Sequence, residues 1–135
     1  MLQRLALALV AVAAGGWLAL ELRSERLEAA AYRLVPTDLS PPPPEDLERA
    51  NRLFDRARRH NPGTRPVLRH AALLVLGRRH REAARLLEEA VRREPENVDA
   101  WSLLASATTP FDPARAAAAL LRVRALNPPV RAPAE

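Results

Sequence analysis

The sequence predicts an all-α chain: an apolar N-terminal helix followed by a short superhelix of helical hairpins. Three observations predict it. Residues 5–20, LALALVAVAAGGWLAL, form a run of sixteen without a charge. The dipeptides Asn61-Pro62, Glu94-Pro95 and Asn127-Pro128 recur at intervals of 33 residues. Before each of these prolines the same register appears: Ala50, Phe54, Ala57; then Ala83, Leu87, Ala90; then Ala116, Leu120, Val123. Small, large, small at i, i+4 and i+7 is one face of a helix. Composition narrows the chemistry. A chain of 135 residues without cysteine excludes disulfide scaffolds, thiolate metal sites and cysteine nucleophiles. Four glycines argue against Gly-rich phosphate loops, whereas thirteen prolines cut the chain into segments. All 21 basic residues are arginine, and the net charge is +5.

The first segment reads as a transmembrane anchor. With its flanks the apolar run reaches about 20 residues, the length that spans roughly 30 Å of hydrocarbon. Arg4 and Glu21 snorkel from its ends, and Trp17 suits an interface. The alternative is a cleaved signal peptide with Ala11-Val12-Ala13 as its processing site. Arginine counts on the two sides weakly place the rest of the chain in the cytoplasm. A short basic start followed at once by an apolar stretch instead looks like a bacterial signal-anchor in the inner membrane. That reading places the repeats outside the cytoplasm. Residues 21–35 hold strong helix formers with Leu20, Leu27, Ala31 and Leu34 near one face, so the helix continues as a juxtamembrane segment until Pro36. Residues 36–44 then form a Pro-rich spacer, stiff through polyproline II.

The repeated register resembles the second helix of the tetratricopeptide repeat, whose 34-residue unit is a helix–turn–helix. Trp101-x2-Leu104-Ala105 matches that family's first helix, and Val67-x2-His70-Ala71 matches it with His70 in place of the usual leucine. Gly77 stands one residue early for the turn glycine. The resemblance covers residues 45–128 and implies about two and a half repeats; residues 129–135 are left as a tail. Five helices follow: Pro44 to His60, Arg65–Leu76, Arg79–Arg93, Val98–Thr108, and one beginning at Asp112-Pro113. Glu45, Asp46 and Glu48 complement the first helix dipole, and Asn97 and Asp112 serve as N-caps. The first helix of the first unit is missing from this count. Because about three stacked units are needed for stability, support is expected from the juxtamembrane helix, the membrane, self-association or a partner.

No residues form a nucleophile–base pair, a metal cluster or a cofactor site, so no enzyme activity, metal or cofactor is expected. His60, His70 and His80 lie ten apart, which is not a one-face helical spacing. Glu82, Glu88 and Glu89 read as helix-face charges for Arg85, Arg92 and Arg93. From Arg49 to Arg81 there are ten arginines and one acid; from Glu82 to Asp99, three arginines and six acids. Arg56, Arg58, Arg59, Arg78, Arg79 and Arg81 are a candidate basic surface. Nucleic acid is not the expected partner, because no aromatic platform is interleaved with the arginines.

In the family resembled, first helices line a concave groove that binds peptide segments. By register the groove here comprises Arg65, Leu68, Ala72 and Val75, then Asp99, Ser102, Ser106 and Thr109. The resemblance therefore implies a membrane-anchored scaffold or assembly factor of the bacterial envelope that binds membrane-associated proteins. Its alternatives are an exported soluble repeat domain released by signal cleavage, or a small structural subunit of a membrane enzyme complex.

Overall fold

The computed structural model describes residues 2–35, 40–61 and 63–128, with side chains from residue 10 onward. Within them are six helices and no strand: α1 (Leu2–Tyr32), α2 (Pro44–His60), α3 (Thr64–Leu76), α4 (His80–Arg93), α5 (Val98–Thr108) and α6 (Pro113–Leu126). The expected tail, 129–135, lies outside the described residues, as do residues 36–39 of the spacer.

The helix ends follow local chemistry. Pro44 opens α2 with its ring at the first helical position, and Glu45 and Asp46 fill the first turn. Asn97 and Asp112 cap α5 and α6, their side chains accepting from the backbone N–H of Ala100 and Arg115, both at 3.0 Å. The end of α3 departs from expectation in an instructive way. Arg79 N–H donates to Leu74 O and Arg78 N–H to Val75 O, the two bonds of a Schellman stop. The left-handed residue is Arg78, at φ 59°, and not Gly77. Gly77 meets a different demand: a Cβ there would approach Leu47 Cδ2 of α2 at 2.6 Å, so that the leucine side chain would have to shift. The bare Cα of Gly77 thus makes room for Leu47, while Arg78 carries the left-handed strain, about 1 kcal/mol.

The helices pair as three hairpins, α1 with α2, α3 with α4 and α5 with α6, stacked through α4 on α5 and, less extensively, α2 on α3. One core joins α3 to α6 around Ala71, Leu74, Leu87, Ala100 and Leu104. A second joins α1, α2 and α3 around Ala31, Leu47, Ala50, Phe54 and Leu73.

This overturns the transmembrane reading of α1. Among the described residues no helix is long and apolar enough to cross a membrane, so neither the single-pass anchor nor the inner-membrane location stands. The uncharged run of sixteen residues is about 24 Å long, short of the roughly 30 Å of hydrocarbon. Half of it is alanine or glycine, which adds little apolar surface. Charges crowd in directly afterwards, from Glu21 to Glu28.

The last turns of α1 are instead the first helix of the first hairpin. Ala31, Ala71 and Ala105 take the same place in α1, α3 and α5, each nearly or fully buried. Seven residues before the first two stand Ser24 and Thr64, both buried. The Ser24 hydroxyl, which donates to Glu28, lies 3.4 Å from Ala57 O near the end of α2, and the Thr64 hydroxyl donates to Glu94 just past the end of α4. The missing helix is thus present. Ala31 to Ala71 is 40 residues, against 34 from Ala71 to Ala105, and the longer Pro-containing connection between α1 and α2 puts it out of period.

Candidate functional site

On α3, Arg65, Leu68 and Ala72 share a face; on α5, Asp99, Ser102 and Ser106 share the equivalent one. Because α3 and α5 lie side by side, the two faces meet. With Leu103, Arg69 and Tyr32 they line an open cavity of about 410 Å³. Six of the eight residues expected in the groove are brought together there. Val75 and Thr109 are not. Both lie where their helices stop: Val75 packs against the core, and the Thr109 hydroxyl donates back to Ala105 O at 2.8 Å.

The lining is chemically divided. Arg65 and Asp99, in the first turns of α3 and α5, are exposed charges of opposite sign. Leu68 and Leu103 are half-buried and supply apolar surface. The serine hydroxyls are already used: Ser102 donates to Val98 O at 2.8 Å and Ser106 to Ser102 O at 3.2 Å. They keep the floor shallow and offer acceptor lone pairs without a competing free donor.

Tyr32 forms a wall that the sequence reading missed, since it depends on where α1 packs. Its ring meets Phe54 edge-on, centroids 5.8 Å apart at 86°. The Arg69 guanidinium lies 5.8 Å over the same ring. Arg69 also pairs with the buried carboxylate of Glu28, which accepts a 3.1 Å hydrogen bond from Ser24. Burial raises the Tyr32 phenol above its usual pKa, against the opposing pull of Arg69. The phenol therefore remains a neutral donor at the groove edge through the physiological range.

Behind the groove, His70 turns inward. Its ring stacks on Phe54, centroids 5.3 Å apart and 10° from parallel. Its Nε2 lies 3.1 Å from Asn51 Oδ1, so Nε2 carries the proton and donates. Asp55 lies 3.9 Å from Nδ1, yet burial dominates and lowers the pKa to about 4. This core position of α3 is thus filled by a neutral imidazole whose partner, Asn51, follows Ala50 of the repeated register. Asn51 is a polar residue within that apolar pattern, and that was the signal available in the sequence.

The candidate basic surface divides. Arg56, Arg58 and Arg59 lie in the last turns of α2, with Arg58 paired to Asp55 at 3.0 Å. Arg78, Arg79 and Arg81 lie at the other end, where the α3–α4 turn meets the start of α2. There Arg79 binds Glu48 and Glu82, and Arg81 lies 5.5 Å over Phe111. Antiparallel packing sends a continuous basic stretch of sequence to two ends of the molecule. Among the described residues no three His, Asp or Glu side chains converge as a metal site. No protein-family model, curated protein or solved structure matches the chain.

Proposed function

We propose that the chain is a small helical-repeat interaction module that holds a segment of a partner protein in the groove between α3 and α5. The observation that carries this reading is the convergence of Arg65, Leu68, Ala72, Asp99, Ser102 and Ser106, with Tyr32, on one open cavity. Mixed apolar and charged lining around a few placed polar groups is the chemistry of a peptide groove. The fitting segment is short. It carries one apolar side chain for Leu68, Leu103 and Tyr32, flanked by an acid facing Arg65 and Arg69 and a base facing Asp99. Groove residues of this kind match the tetratricopeptide-like register in the sequence, and that resemblance supports the same reading.

The test uses peptides selected from a random displayed library against the immobilised full chain. Their affinities are then measured by fluorescence anisotropy. Leu68→Glu is expected to weaken the selected peptides at least about tenfold, roughly 1.4 kcal/mol. Glu96→Ala, on an exposed turn away from the groove, is expected to leave them unchanged. Peptides that bind Leu68→Glu as tightly as the native chain would overturn the groove reading.

A further inference from the structure

Among the described residues two apolar surfaces are left uncovered, and they complement each other. The first is on α6. In α2 and α4 the large residue of the repeat register, Phe54 and Leu87, is fully buried, because another helix follows and packs on it. In α6 the same position, Leu120, is 50% exposed, with Leu121 beside it at 64%. Terminal repeats of stacked arrays carry a polar outer face when they end the array. Here α6 keeps the face of an internal helix. The second surface is the N-terminal part of α1. Val10, Val12, Trp17, Leu18, Leu20 and Leu22 are all exposed, and they point around the helix in every direction. A helix that is apolar on all sides is one that other protein or lipid covers, and among the described residues no helix is long and apolar enough to cross a membrane.

We propose that the exposed apolar segment of α1 in one copy of the chain covers the open face of α6 in a second copy, taking the place of the next helix in the array. Length supports this occupant. The uncharged run of sixteen residues is about 24 Å long, and the fourteen residues of α6 about 21 Å. Charge supports it over a symmetric pairing of two α6 helices. α6 holds no acid, and although Arg115 is paired with Glu88 of α4 at 2.9 Å, Arg122 and Arg124 remain, so two α6 faces would bring like charges together. The run 5–20 of α1 carries no charge at all. Its own chain cannot supply the cover, because the last turns of the same continuous helix are fixed in the first hairpin, two hairpins from α6. The contact is head-to-tail between copies. It closes as a dimer when both copies exchange their helices, and otherwise runs on as a chain. It is independent of the groove, which faces α3 and α5.

Sedimentation velocity on the full-length chain tests it. The native chain is expected to sediment as a dimer or larger species. A variant with Val12→Glu and Leu18→Glu, and another with Leu120→Glu and Leu121→Glu, are each expected to be monomeric. Mixed one to one, they are expected to form a heterodimer and stop there, because one intact α1 segment then meets one intact α6 face. Continued self-association of either variant alone, or a mixture that stays monomeric, would overturn the proposal. The absence of native cysteine permits a second measurement that does not depend on disruptive charges. Chains carrying Leu18→Cys and Leu120→Cys are expected to form the mixed disulfide in excess of either like pair. Disulfides between like pairs alone would overturn the proposal equally.

Discussion

Replacing Phe54 by alanine is expected to lower the stability of the chain by about 3–5 kcal/mol. Its ring is fully buried at the junction of α1, α2 and α3. It meets Tyr32 edge-on and His70 face-on, and both aromatic contacts add to the area it buries. Truncation leaves a cavity that three separate helices would have to close, and α2 and α3 already pack less extensively than the other stacked helices. A small domain is stable by about 5–15 kcal/mol, so this one change removes about a fifth or more of it. Urea denaturation checks the expectation: the midpoint falls while the slope is kept. Phe111 is the comparison. At 39% exposed it lies on the surface under Arg81, and Phe111→Ala is expected to cost under about 1 kcal/mol. Because Phe54 also holds Tyr32 at the groove, Phe54→Ala should weaken groove ligands even where the chain remains folded.

Acid is expected to destabilise the chain through His70. In the folded protein its pKa is about 4, because burial opposes the charged form. In the unfolded chain it returns to about 6.5. The unfolded state therefore binds the proton first as pH falls, and stability is lost between about pH 6.5 and 4. Above that window the contribution is fully present; below about pH 4 both states are protonated and no more is lost. A shift of this size corresponds to about 3 kcal/mol. The groups facing the ring do not cancel it: Asp55 and Glu82 favour the charged imidazole, Arg58 and Arg79 oppose it, and burial exceeds them all. Denaturation curves from pH 7.5 to 4 measure the loss, and the proton resonances of the imidazole report its titration directly. His70→Leu with Asn51→Leu, which removes both buried polar partners together, should abolish this part of the pH dependence. A His70 midpoint near 6.5 in the folded protein would contradict the assignment.

Much of α2 to α6 was legible because the signals are local. Prolines, caps and the small–large–small register act within one helix, and they placed α2 and α5 to the residue. The residues that line the candidate groove were legible in part for the same reason: Arg65, Leu68 and Ala72 share a face by helical spacing alone, and so do Asp99, Ser102 and Ser106. What was not legible depends on packing between distant segments. The first half of α1 is so apolar that it set the reading of the whole helix. The apolar face of its last turns in the sequence, Leu20, Leu27, Ala31 and Leu34, is not the buried one: Ser24, Glu28 and Ala31 are buried and include no large apolar residue, whereas Leu20 is exposed. The role of Tyr32 in the groove follows only once those turns lie on α2. Gly77 was read as a turn residue by its type, whereas Leu47, thirty residues away in sequence, explains it. The arginines from Arg49 to Arg81 are continuous in sequence, but the alternating direction of α2 and α3 sends them to opposite ends.

The central claim is that α1 is one helix of two natures: an exposed apolar segment, and a last part that completes the first hairpin and walls the groove. Native-state hydrogen exchange tests it most directly, at a concentration low enough to keep the chain monomeric. Backbone amides of residues 27–32 are expected to exchange only with the opening that releases α2 and α3, and with the same urea dependence. Amides of residues 10–20 are expected to exchange through local fraying, orders of magnitude faster. Exchange of residues 27–32 at the rate of residues 10–20, with α2 and α3 still protected, would contradict the account.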